Sequence, residues 1–246
     1  MQQLQRPGTR IALLCLAIII GLSGCGKNQR DSRSGSEELY ERANKSLRNG
    51  NFRNAIGYYE ALVARYPFSN QSKQAQLDLV YAYYKNGDPD SAIEAALQFE
   101  RENPRHPRVD YALYMRGLAQ FQGEKNMMHR FMRMDLAKRP PVDATESFSA
   151  FSQLLTRYPL SEYAEDARQR MIFLRNRLAD HEIHVAEYYM KRGAYIASLI
   201  RAKFVMEIYD GAPAVAMSLV IMVEAYEKLG LQDLAASSRS ILRENF

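Results

Sequence analysis

An all-α chain built from a repeated pair of helices is what this sequence predicts, and three observations predict it. The first is texture. From Glu37 onward apolar residues recur at spacings of three and four among good helix formers, the period of a helix with one buried face. The second is internal repetition. "GNFRNAI" at 50 to 56 and "GDPDSAI" at 87 to 93 share Gly, Ala and Ile at a fixed offset of 37, and the same offset carries Pro67 onto Pro104. The third is punctuation, because each copy places a glycine between two helical runs and a proline after the second. At 246 residues, 47% hydrophobic and 25% charged, the chain lies in the ordinary globular range and can bury a core.

In the first pair, Leu39 to Arg48 predicts one helix, Gly50-Asn51 a break, and Arg53 to Tyr66 a second helix that Pro67 ends. Small side chains at Ala55 and Ala92 let paired helices approach closely, while Gly50 and Gly87 supply the backbone freedom of a tight αα turn. By repeat position Phe52, Tyr59 and Tyr83 are expected in the core. The pattern then continues with edits. "YEALVARYPFSNQSKQA" (59 to 75) returns as "FSQLLTRYPLSEYAEDA" (151 to 167) at an offset of 92, where two plain repeats give 74. The surplus of roughly 18 residues predicts an insert between the helices of the third repeat, roughly Glu124 to Pro141. "VYAYYKNG" (80 to 87) recurs as "VEAYEKLG" (223 to 230), and between these lies a fourth pair. Its first helix runs from about Ser161 to Lys191, with a turn at Gly193 and a second helix from Ala194 to Tyr209. Taken together the units resemble the tetratricopeptide repeat. About five pairs are expected, at 37–68, 72–105, 108–160 with the insert 124–141, 161–213 and 214–246, stacked as a right-handed solenoid.

The N-terminus reads differently. Arg6 and Arg10 form a positive region, Ile11 to Ile20 is an almost unbroken apolar run, and Gly21 to Gly24 supplies small residues, which together read as a signal peptide over 1–24. The run is too short for a spanning helix, which needs about 20 apolar residues. Leu22-Ser23-Gly24-Cys25 resembles the bacterial lipobox, which implies that Cys25 carries the covalent lipid of the mature protein. Cys15, the other of two cysteines, would leave with the signal peptide, so no internal disulfide is expected. Gly26 rather than Asp follows Cys25, which favours the outer membrane by the usual lipoprotein sorting pattern. Residues 25–36, polar and Gly/Ser-rich, read as a lipidated flexible tether.

Several function classes are excluded or disfavoured. A net charge of +5, roughly +3 without Arg6 and Arg10, is too small an imbalance to argue for nucleic acid. "HEIH" at 181 to 184 spaces its histidines by three, whereas a metalloprotease site needs HExxH with a spacing of four. Neither GxSxG nor a P-loop nor CxxC is present, so no catalytic residue is named and neither a metal nor a soluble cofactor is expected. Met127, Met128, Met132 and Met134 in the insert suit an adaptable surface or packing against the third repeat. Arg130, Arg133, Lys138 and Arg139 suit acidic partners, anionic lipid or simple solvation.

A lipobox followed by five such repeats, with "RYPF", "QLDLVYAYYKNG", "HPRVDYALYMRGL" and "VAEYYMKRGAY", resembles the BamD family of the outer-membrane β-barrel assembly machinery. That resemblance implies a non-catalytic scaffold, anchored by lipid and facing the periplasm. Its implied partners are BamA through its POTRA domains, small lipoproteins such as BamC and BamE, and unfolded outer-membrane proteins. It also places client contact at Arg65, Tyr66, Phe68, Tyr81 and Tyr84, and BamA contact at Tyr188, Tyr189, Arg192 and Arg201. Independently, unfolded barrel strands present alternating apolar side chains and unpaired backbone, which tyrosines stack on and hydrogen-bond at low entropic cost. Tyr58, Tyr59, Tyr66, Tyr81, Tyr83 and Tyr84 crowd the first two repeats, though packing is the commoner role for any one of them. A repeat lipoprotein serving as a secretin pilotin or a cell-wall enzyme scaffold shares the anchor and repeats and would differ in partners.

Overall fold

The computed structural model describes residues 27–124 and 141–246. The signal peptide, Cys25 and insert residues 125–140, with their methionines and basic residues, lie outside the described residues. Among the described residues there are ten helices and no strand. They fall into two compact units, one ending at Asn86 and the other spanning Gly87–Phe246.

The first unit holds α1 (Lys27–Arg48), α2 (Phe52–Arg65) and α3 (Asn70–Asn86). Gly50 makes the α1–α2 turn at φ 73°, a left-handed conformation that a side chain would strain. Asn51 then caps α2 by accepting the amide of Asn54 at 3.3 Å. Pro67 cannot continue the helix, and the Tyr66 amide closes its last turn on the Leu62 carbonyl. Ala43, Ala55, Ala75 and Ala82 keep the three helices close, and Tyr59 and Leu62 fill the space between them. Tyr59 donates to Asn44 Oδ1 at 2.6 Å and Tyr40 to Asp78 Oδ2 at 2.8 Å, so neither hydroxyl is left unsatisfied in the core. Burial, ahead of the nearby Asp78 charge, pushes the Tyr59 hydroxyl far above its ordinary range.

Two expectations need correction here. Residues 27–36, expected as a flexible tether, form the first ten positions of α1. Their polarity masked good helix formers, since Lys, Gln and Arg cost little in a helix and Gly35 is the one glycine from 27 to 36. The end of this stretch also packs: Ser36 is fully buried and donates to Gln71 at 3.3 Å. Of the three expected core aromatics only Tyr59 is buried, while Phe52 and Tyr83 are half-buried. Phe52 is the first residue of α2 and lies at the edge of the packed layer, and the Tyr83 hydroxyl reaches out to the Glu60 carboxylate.

The second unit holds α4 (Pro89–Glu102), α5 (Val109–Glu124), α6 (Val142–Arg157), α7 (Ala164–Lys191), α8 (Tyr195–Ile208), α9 (Ala214–Lys228) and α10 (Gln232–Asn245). Each helix packs on the next, and α7 also meets α9. Asp88 caps α4 through the Ser91 amide, and Pro89 begins it, where its missing N–H costs nothing. Phe99, Leu113, Phe151, Leu154, Leu174 and Leu219 are the large side chains buried to below 2% exposure. Helices α5 and α6 touch at Gly117, where an added Cβ would lie 2.6 Å from the Phe151 ring and where Ser147 donates to the Gly117 carbonyl at 2.9 Å. The 28 residues of α7 contain neither Gly nor Pro, which accounts for a length of roughly 42 Å. Arg175 on α7 donates to the carbonyls of Asp210 and Gly211 at 2.9 and 2.8 Å and so ties down the α8–α9 turn. Within the units α1 packs on α2, α5 on α6, α7 on α8 and α9 on α10, while the helices expected as the second pair fall in different units, α3 in the first and α4 in the second. In chain order the insert's place falls between α5 and α6.

Candidate interaction surfaces

In the first unit α1 and α2 flank a groove of about 500 Å³ lined by Leu39, Arg42, Arg53, Asn54, Gly57, Tyr58, Ala61 and Arg65. It follows α2 because Gly57 and Ala61, four positions apart, leave a low floor on one side of that helix. Arg53 and Arg65 stand at its two ends, 12 positions and therefore roughly 18 Å apart. Arg42 rises from α1 beside this floor and holds the Glu38 carboxylate in an exposed pair one turn away.

The client residues expected from the resemblance are distributed around this unit. Arg65 lines the groove. Tyr66 follows it but turns its hydroxyl onto α1, where a Cβ at Gly35 would come within 2.5 Å of it. Phe68, in the α2–α3 turn, is 99% exposed, an arrangement that packing does not explain. Tyr81 and Tyr84 are half-buried one turn apart on α3 and do not line the groove. Arg42 and Arg53 escaped the sequence reading because they sit on two helices, and spacing along one helix cannot bring them together.

In the second unit the four expected partner residues lie at the end of α7 and on α8. Tyr188 and Tyr189 meet edge to face at 5.8 Å, and Arg192 donates to the Tyr188 hydroxyl at 3.1 Å while lying over its ring. Arg201 stands apart from this cluster in its contacts. Its guanidinium donates to Glu182 on α7 at 3.0 Å, with Arg201 44% and Glu182 only 14% exposed. Glu182 also bears on Tyr209, whose hydroxyl is raised by burial first and by the Glu182 charge second. Arg201 is therefore not a freely solvated helix arginine, and Glu182 is a member of this surface that the sequence reading did not name.

Around Arg201 the sequence reading also missed a stripe. Ile196, Ile200, Phe204 and Ile208 recur every four positions along α8, and all four are between 39% and 63% exposed. The side of α8 turned inward carries Ser198, Ala202 and Val205, and Ser198 donates to the Ala186 carbonyl at 2.8 Å. Small residues inside and large apolar ones outside reverse the usual ordering of a surface helix.

A family model described as an outer membrane lipoprotein, YfiO, matches residues 33–242. The chain belongs to the YfiO/BamD family. The outer membrane protein assembly factor BamD of Neisseria meningitidis serogroup A is 40% identical over 241 residues, covering 95% of this chain and 90% of that protein. That of Vibrio cholerae is 39% identical over 237 residues, covering 96% of this chain and 98% of its own. Among solved structures, a tetratricopeptide repeat protein from Parabacteroides merdae matches at 11% identity and a TM-score of 0.41, covering 86% of this chain and 80% of that one. Membership of the YfiO/BamD family therefore rests on sequence, over nearly the whole chain. No helix among the described residues is long and apolar enough to cross a membrane.

Proposed function

We propose that this member of the YfiO/BamD family is a non-catalytic assembly factor of the outer membrane. Lipid on Cys25 holds it there, facing the periplasm. Its second unit binds the barrel-forming subunit BamA through POTRA domains, and small lipoproteins such as BamC and BamE join the same complex. Its first unit meets unfolded outer-membrane proteins at Arg65, Tyr66, Phe68, Tyr81 and Tyr84.

The observation that carries the reading is the reversed α8 face. Four large apolar side chains stand in solvent beside Arg201 and one turn of chain from Tyr188, Tyr189 and Arg192. Aromatic residues and arginines amid apolar area are the composition of interface centres rather than of solvated surface. Arg201 brings a cation that Glu182 holds in place, and it suits a partner carboxylate at the edge of an apolar contact.

The test is to tag the C-terminus, solubilise outer membranes in mild detergent, purify the tagged protein and identify its near-stoichiometric companions by mass spectrometry. A large barrel protein carrying POTRA domains supports the reading. A secretin or a cell-wall synthase in its place would overturn it.

A further inference from the structure

We propose that the α1–α2 groove is a docking site for an extended acidic polypeptide segment, with carboxylates about five residues apart and apolar side chains between them. The inference goes beyond the client and BamA readings, since Arg42, Arg53 and Gly57 belong to neither, while Arg65 is shared with the first and Tyr58 is one of the tyrosines that crowd the first two repeats.

Charge states the kind of partner. Three arginines line the groove and no carboxylate does. Glu38 pairs with Arg42 from one turn away on α1, and both side chains are about 60% exposed (58% and 63%). An exposed pair of that kind contributes little and yields readily to an incoming carboxylate. Guanidinium groups present five donors in a planar fork, the geometry that grips a carboxylate with two hydrogen bonds at once.

Shape then separates an extended segment from a helix or a lipid surface. The two end arginines are roughly 18 Å apart, and an extended chain covers that distance in about five residues. A partner helix is about 10 Å across and over the same length would need well above the 500 Å³ that the groove offers. Between the arginines the floor is Gly57 and Ala61, with Leu39, Tyr58 and Asn54 beside them, a mixed lining that offers apolar contact to side chains and a side-chain amide to the unpaired backbone of an extended segment. Bare backbone at Gly57 has nothing within 4 Å of where a Cβ would stand, so the floor is open at its centre.

The experiment uses the full lipidated chain in detergent and a fluorescein-labelled octapeptide with two glutamates five positions apart around a Leu-Ala-Val-Ala centre, read by fluorescence anisotropy. The expected result is saturable binding that weakens with salt, and a loss of about tenfold when both glutamates become glutamines. Arg42→Gln with Arg53→Gln should lose about as much, with unchanged far-UV circular dichroism. Arg65 is left in place, so the client reading is not disturbed by the variants. Equal affinity for the glutamate and glutamine peptides would overturn the proposal, and that comparison needs no variant to fold. Wild-type affinity in the double arginine variant would overturn it as well. So would a groove that ignores the peptide yet binds vesicles of phosphatidylglycerol through Arg42 and Arg53, which would assign it to lipid. Companions recovered with the tagged double variant should be those of the unaltered protein, so failure of the peptide result leaves the assembly reading standing on its own test.

Discussion

Reversing the charge at Arg201 tests two roles of one side chain, and the structure allows them to be separated. Arg201 donates to Glu182 at 3.0 Å, and the Glu182 carboxylate is mostly buried at 14% exposure. Arg201→Ala leaves that carboxylate without its cation. A fully exposed pair would be worth about 0.2–1 kcal/mol and a fully buried one broken on one side about 3–5, so this intermediate site should lose roughly 1–2 kcal/mol. For a chain of this size that is a fall of about 2–8 °C in Tm, since 1 kcal/mol corresponds to about 2–4 °C. Arg201→Glu should fall further, because it sets two carboxylates against each other. Exchanging the pair, Glu182→Arg with Arg201→Glu, rebuilds the attraction and should recover most of the lost Tm. It also turns the outward charge from positive to negative, so co-purification of the POTRA-bearing partner should remain lost. Circular dichroism melts and tagged purification of the three variants decide the matter. Recovery of the partner together with Tm in the exchanged variant would refute the reasoning, because Arg201 would then act through the fold alone. An unchanged Tm in Arg201→Ala would refute the assigned strength of the pair.

Three further outcomes are expected. Gly117→Ala places a Cβ 2.6 Å from the fully buried Phe151 ring, and overpacking of about 1–3 kcal/mol should outweigh a helix-propensity gain of about 1, lowering Tm by a few degrees in a thermal melt. Burial pushes the Asp166 carboxyl up, but hydrogen bonds from Arg170 and Tyr114 outweigh it and hold it below its ordinary value, so its stabilisation is present above the unfolded carboxylate range and fades as pH falls through the lowered one. Asp166→Asn should reduce stability at pH 7 and flatten that part of the acid limb in urea titrations run from pH 6 to pH 2. Ile200→Glu and Phe204→Glu should leave Tm within a few degrees, because these side chains are exposed, and should abolish partner recovery in the tagged purification.

Which features were legible in the sequence follows from how far apart their parts lie. Turns need one residue of the right kind, and Gly50, Gly87, Gly193 and Gly230 each adopt the positive φ that their place between helical runs demands. Helix against next helix needs only a period and a break, and α1–α2, α5–α6, α7–α8 and α9–α10 pack within their units, whereas the 37-residue offset did not reveal that α3 and α4 belong to different units. Side-chain burial was harder, because repeat position names a helix face but not its depth. Tyr59 is central in α2 and buried, whereas Phe52 on the same helix stands at its first residue and is not. Composition misled at residues 27–36, where Ser and Gly suggested a linker while Lys, Gln and Arg permit helix. The α1–α2 groove and the Glu182–Arg201 pair were out of reach, since each joins residues from two helices whose register across a turn no spacing rule supplies. The α8 stripe, by contrast, has a plain spacing of four, yet an apolar stripe reads as core until the structure shows which side faces inward.

That reversed helix also explains how one fold can be both stable and available. Ser198, Ala202 and Val205 let α8 lie close against α7, and Ser198 adds a buried hydrogen bond to the Ala186 carbonyl, so close backbone approach rather than large side chains secures the helix. Large apolar groups are then released from core duty and can stand outward without weakening the unit. Their exposure costs solubility, which a protein tolerates where a partner covers them for most of its life. The charges add to this: Glu182 on α7 holds the Arg201 guanidinium at 3.0 Å, which fixes one end of a long flexible side chain. On the proposed function, a surface ordered in this way would bind its partner at little cost in side-chain ordering.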